Sequence, residues 1–137
     1  MSGSSGARLR RFVWAITLVY WAAAFIMTHL PSRHVPTIPA SDKLEHFLGY
    51  GLLGGCLFLA LRLSGVRSVG VKVLAMLLVY GMIDEWLQLL PFVGRDCEFG
   101  DWCADVAGAA TAVVIASALW CWATHRPRDA SGEQRVG

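Results

Sequence analysis

Charge is what this chain has least of: 16% of its 137 residues are charged, while 55% are hydrophobic. Soluble domains carry about 25% charged residues, and a domain of this length leaves a large part of its surface in water. A soluble core has no room for so much apolar surface. The same scarcity excludes a chain disordered throughout, which needs high charge and few apolar residues. A net charge of +2 excludes a polybasic nucleic-acid binder. Internal repeats are lacking, as are H-E-x-x-H, G-x-S-x-G and any phosphate-cradling glycine loop, so no familiar catalytic motif offers a starting point. What remains is an all-α integral membrane protein of one domain.

Four apolar runs carry that expectation. Phe12–Leu30 holds no charge, and its 19 residues approach the roughly 20 that cross a bilayer as a helix. Its length exceeds a signal-peptide core and no A-x-A site follows it, so an uncleaved span is expected. Further spans are predicted from about His46 to Leu63, Val71 to Leu90 and Ala104 to Thr124. Residues 1–11 and 125–137, rich in Gly, Ser and charge, are expected to be disordered and to flank a membrane domain at 12–124.

Arg8, Arg10, Arg11, Arg62, Arg67, Lys72, Arg126, Arg128 and Arg135 fall on one side of this layout, against Arg33, Lys43 and Arg95 on the other. Cytoplasmic loops are enriched in Lys and Arg, so both termini are expected in the cytoplasm. Trp14, Trp120 and Trp122 then suit an inner interfacial belt, and Trp86 and Trp102 an outer one. The acids lie the opposite way: Asp42, Glu45, Asp84, Glu85, Asp96, Glu98, Asp101 and Asp105 are outward, and only Asp129 and Glu133 inward.

Several outward groups share helical faces. Asp42, Lys43, His46 and Tyr50 recur at spacings of three and four, which places them together on one face. Asp84, Glu85 and Gln88 span about 100° of the third helix, and Asp101 and Asp105 head a stripe that continues to Gly108. Ionisable groups within spans are candidate functional sites. A water-filled pocket acting at the outer leaflet is set against an ion-pair network that only docks the helices. His46, Asp84 and Glu85 are the candidates for acid–base chemistry. His46 with Asp84, Glu85, Asp101 and Asp105 would suit a divalent ion, but only one His is well placed and no paired-His spacing exists. No metal and no cofactor is therefore expected. His29 and His34 are assigned to the first loop region, and His125 to the cytoplasmic side.

Ala104, Gly108, Ala112 and Ala116, with Gly51 and Gly55, give small-residue stripes that let backbones approach in lipid. Packing of the second span on the fourth is expected, with homodimerisation the alternative. Cys97 and Cys103 either pair across the outer loop in an oxidising compartment or remain thiols. Cys56 and Cys121 are expected to be inert packing residues.

The combination D-K-x-x-H-x-x-x-Y (Asp42, Lys43, His46, Tyr50), E-x-x-Q-x-x-P (Glu85, Gln88, Pro91) and R-x-x-x-x-x-D (Arg95, Asp101), followed by Asp105 and Gly108, resembles the VanZ-like family of small bacterial membrane proteins. The resemblance covers Ser41 to Gly108. Many members of that family carry Asn where this chain has Asp105. The resemblance implies a four-helix protein of the bacterial plasma or inner membrane, in a family named for a teicoplanin-resistance protein. It implies a ligand site of Asp42, Lys43, His46, Tyr50, Glu85, Gln88, Arg95, Asp101 and Asp105, without implying an enzyme. The partners expected are membrane lipid and a lipid-linked or glycopeptide envelope ligand, with no nucleic acid. A small transporter or accessory subunit and a structural scaffold are the competing functions.

Overall fold

A computed structural model describes residues 3–30, 42–91 and 98–125. Four helices account for nearly all of them: α1 (Gly3–His29), α2 (Asp42–Leu63), α3 (Val69–Gln88) and α4 (Phe99–His125). No strand occurs among the described residues. The all-α expectation is met. Helix α1 begins well before Phe12, so residues 3–11, expected to be disordered, are helical. Apart from Gly3 and Gly6 this stretch (Ser, Ala, Arg, Leu) contains no helix breaker, and it propagates the turn already set by the apolar run. The expected tail at 125–137 begins with His125, which ends α4; its other residues lie outside the described ones.

Helices α1, α2 and α4 are long and apolar enough to cross a membrane. Helix α3 differs because Lys72, Asp84 and Glu85 all fall within its 20 residues. Apolar side chains cover the outside of the bundle as well as its core: Phe12, Val19, Val71, Trp86, Phe99 and Val114 are all exposed. Water would penalise such a surface, and lipid would not.

The core is Tyr50, Leu53, Leu57, Phe58, Val69, Val73, Leu77, Ala109 and Val113. Helix α2 is central and packs on the other three; α1 packs on α2 and α3 but does not reach α4. The closest packing joins α2 to α4, as the small-residue stripes predict. A Cβ on Gly51 would lie 3.4 Å from the Gly108 carbonyl oxygen, and one on Gly54 would lie 3.3 Å from Ala109 Cα. A Cβ on Gly108 would overlap the carbonyl oxygen of Phe47. Gly55 faces open space, so the seam uses Gly51 and Gly54 rather than the full G-x-x-x-G pair.

Helix α2 ends in a Schellman motif. Gly65 takes φ 74°, its N–H donates to Arg62 O at 3.1 Å, and the Val66 N–H donates to Leu61 O at 3.1 Å. Gly suits this left-handed position because it has no Cβ. The reversal brings α3 back beside α2. The C-termini of α1 and α3 therefore meet the N-termini of α2 and α4 at one end of the bundle, called here the acidic end.

Candidate functional site

Helix polarity prepares this end for its residues. Asp42 and Glu45 lie in the first turn of α2 and Asp101 in the first turn of α4, while His29 closes α1. Acids at helix N-termini and a cation at a C-terminus complement the macrodipole.

At the rim, exposed Lys43 crosses to α4. Its Nζ lies 2.8 Å from Glu98 Oε2 and 3.3 Å from Asp101 Oδ1. The crossing passes directly over Gly100, where a Cβ would lie 2.8 Å from Lys43 Cε. The hydrogen bond and the charge of Lys43 hold the Glu98 carboxyl below the usual range, so it stays ionised against its partner.

One turn deeper, the buried His46 Nδ1 lies 2.9 Å from Asp105 Oδ1 and 4.0 Å from Glu85 Oε1. Asp105 has no exposure at all and Glu85 only 3%. Glu85 Oε2 accepts the backbone N–H of Glu98 at 3.2 Å. On the other side of α3, Asp84 Oδ1 accepts from Thr28 Oγ1 at 3.3 Å and lies 3.7 Å from His29 Nδ1. His29 Nδ1 is also 2.8 Å from Phe25 O, and a carbonyl can only accept, so that nitrogen carries a proton. Gly81 makes room in the centre: a Cβ there would lie 3.3 Å from Asp105 Oδ2 and 3.4 Å from the Tyr50 ring.

The structure thus gathers His46, Asp84, Glu85, Asp101 and Asp105, from three helices, around one end of the core. Gln88 and Tyr50 are buried in the same region, and Asp42 stands exposed at its rim. Arg95 lies outside the described residues, as do Cys97 and with it the disulfide alternative; Cys103 is exposed. His29 requires a correction. It belongs to α1 rather than to a loop, and its Nδ1 lies 3.7 Å from Asp84 Oδ1. Thr28 and Glu98 are likewise contributors that the spacing did not single out. One signal for His29 was present: two residues ahead of Pro31, it falls where a helix places its last-turn cation.

Among the described residues, six buried side-chain atoms here have no hydrogen-bond partner: His29 Nε2, Tyr50 Oη, Asp84 Oδ2, Glu85 Oε1, Gln88 Nε2 and Asp105 Oδ2. Buried polar atoms are nearly always satisfied, and leaving one unpaired costs about 1–3 kcal/mol. All six belong to this end. A cleft of about 270 Å³ between α1 and α2 reaches the cluster; Ala23, Ala24 and Met27 form its apolar wall, and Asp42, Glu45 and His46 its polar one. Such a cleft accepts an amphipathic molecule, with the carboxylates suited to an amine or metal cation and the His46–Asp105 pair able to move a proton.

Comparison with protein-family models, with curated proteins and with solved structures found no match to this chain.

Proposed function

We propose that this chain is a four-span bacterial membrane protein, both termini cytoplasmic, whose acidic end forms a pocket at the outer leaflet for a component of the cell envelope. The observation that carries this reading is the set of six unpartnered buried polar atoms at one end of the bundle. A cluster that only locked helices together would be expected to satisfy its own donors and acceptors. The cleft supports the reading with a lateral approach that is apolar on one side and acidic on the other. In this frame α3 is the fourth span, its carboxylates turned inward against the bundle. The VanZ-like motifs draw on these same residues, so a lipid-linked wall precursor or a glycopeptide is the ligand class proposed. Arg95 would supply a bidentate donor for its phosphate or carboxylate.

Transport is less well supported. Among the described residues, Thr17 is the only buried polar side chain outside the cluster, and its hydroxyl is spent on the Val13 carbonyl at 2.8 Å. A path through the bundle needs polar groups at both ends. The scaffold reading draws on the His46–Asp105 and Lys43–Asp101 pairs. It predicts that substitutions lower folding yield, whereas the pocket reading predicts that they lower function at unchanged yield. In cells expressing the chain, Glu85→Gln and Arg95→Ala should each abolish its effect on teicoplanin susceptibility at normal protein level. If both variants leave that effect intact, there is no pocket.

A further inference from the structure

We propose that His46, Glu85 and Asp105 bind a divalent transition-metal ion. The inference rests on the reading of the acidic end as a ligand site and names the ligand at its floor. One ligand atom from each residue lies within 4.8 Å of the others, and all three residues are buried. Ions of this class hold nitrogen and oxygen at about 2.0–2.2 Å, so two ligands of one ion are at most about 4.4 Å apart. The His46 Nδ1 distances of 2.9 Å to Asp105 Oδ1 and 4.0 Å to Glu85 Oε1 fall within that span. A small carboxylate rotation closes the remaining edge.

A 2+ ion fits the charge balance of the site. Four carboxylates are buried among the described residues: Asp84, Glu85, Asp101 and Asp105. His29 lies beside Asp84, Lys43 binds Asp101 and His46 binds Asp105. Among the described residues Glu85 accepts a backbone N–H on Oε2, and the His46 ring stands 4.0 Å from its Oε1. Its Oε1 is buried and unpartnered and faces the His46 ring, and Asp105 Oδ2 is also unpartnered. A 2+ ion neutralises Glu85 and Asp105 together while His46 stays neutral, so the assembly carries no net charge into the interior. Binding through Nδ1 moves the ring proton to Nε2. Asp42 and Asp101 have carboxylate oxygens within 4.8 Å of a ring nitrogen and supply the outer acceptor that metal-bound imidazoles commonly use. An imidazole donor favours Zn²⁺ over Ca²⁺ or Mg²⁺, which prefer all-oxygen shells; the two carboxylates let Mn²⁺ serve as a weaker, paramagnetic stand-in.

The test uses the full chain in detergent, stripped with a chelator and then equilibrated separately with Zn²⁺, Mn²⁺, Ca²⁺ and Mg²⁺. Metal content is measured by mass spectrometry, and the Mn²⁺ sample is read by electron paramagnetic resonance. The expected result is about one Zn²⁺ or Mn²⁺ per chain, with a raised Tm. Glu85→Gln and Asp105→Asn should each raise Kd by at least about 100-fold, since outer-shell changes alone cost about 10–100-fold. Absence of Zn²⁺ and Mn²⁺ from the folded wild-type chain overturns the proposal, whatever the variants do. Equal binding of Ca²⁺, or Zn²⁺ binding indifferent to both substitutions, also overturns it. A metal-free wild type whose envelope effect still depends on Glu85 removes the ion and leaves the pocket. An ion bound as expected, with the envelope effect left intact in every variant, upholds the ion and removes the envelope role.

Discussion

His46 and Asp105 form the most deeply buried pair of the cluster, and their energetics are lopsided. Removing one member of a buried charged pair costs about 3–5 kcal/mol, because the other is left uncompensated. Asp105→Ala should therefore lower stability by that order in a thermal or denaturant melt in detergent. Asp105→Asn keeps an oxygen to accept from His46 Nδ1 and should cost well under half as much. Equal losses from the two would show that charge, not the hydrogen bond, holds His46. At this scale much was legible from the chain alone. A histidine and four acids within or bordering apolar runs stand out because lipid tolerates few such groups, and their spacing of three and four set their faces. The identity of each partner was not legible. Lys43 reaches Glu98 and Asp101 across the space beside Gly100, and the proposed ion-binding trio comes from three separate helices, so no local spacing announces it.

The helices repeat this division between what pattern shows and what contact decides. The apolar runs marked all four, and Pro31 and Pro91 marked where two of them stop. The start of α1 differs from the expectation because glycine and serine at the chain's beginning suggest disorder, while the helix-forming residues that follow carry the helix back to Gly3. The α2–α4 seam was anticipated from small residues, yet which glycines it uses is fixed by rotation about the axis, and that shows only when the helices are docked. Gly108→Ala tests it. The added methyl meets the Phe47 carbonyl oxygen, a backbone atom that cannot turn aside. Overpacking of this kind costs about 1–3 kcal/mol or more. Gly55→Ala meets open space and should be neutral or stabilise by up to about 1 kcal/mol, as a helical glycine usually allows. Unfolding in mixed micelles of the two variants, side by side, measures the difference.

Across the whole molecule the helices are unequally anchored. Helix α2 buries seven residues, whereas α1 buries only Thr17 among its described residues, with hydrogen bonds from Trp14 to Ser64 and from Tyr20 to the Gly49 carbonyl among its attachments. Stability within a fold follows such differences in packing. Amide hydrogen exchange in lipid nanodiscs should find α2 the best protected helix and α1 the least. Equal protection would mean that α1 is held by more than these contacts. The order of detachment has a consequence for the cleft, one wall of which is α1. His29 and Thr28 belong to α1, whereas Lys43, His46, Glu85, Asp101 and Asp105 lie on α2, α3 and α4. The floor of the proposed pocket is thus built independently of its α1 wall, so that displacing this wall would uncover the floor without taking it apart.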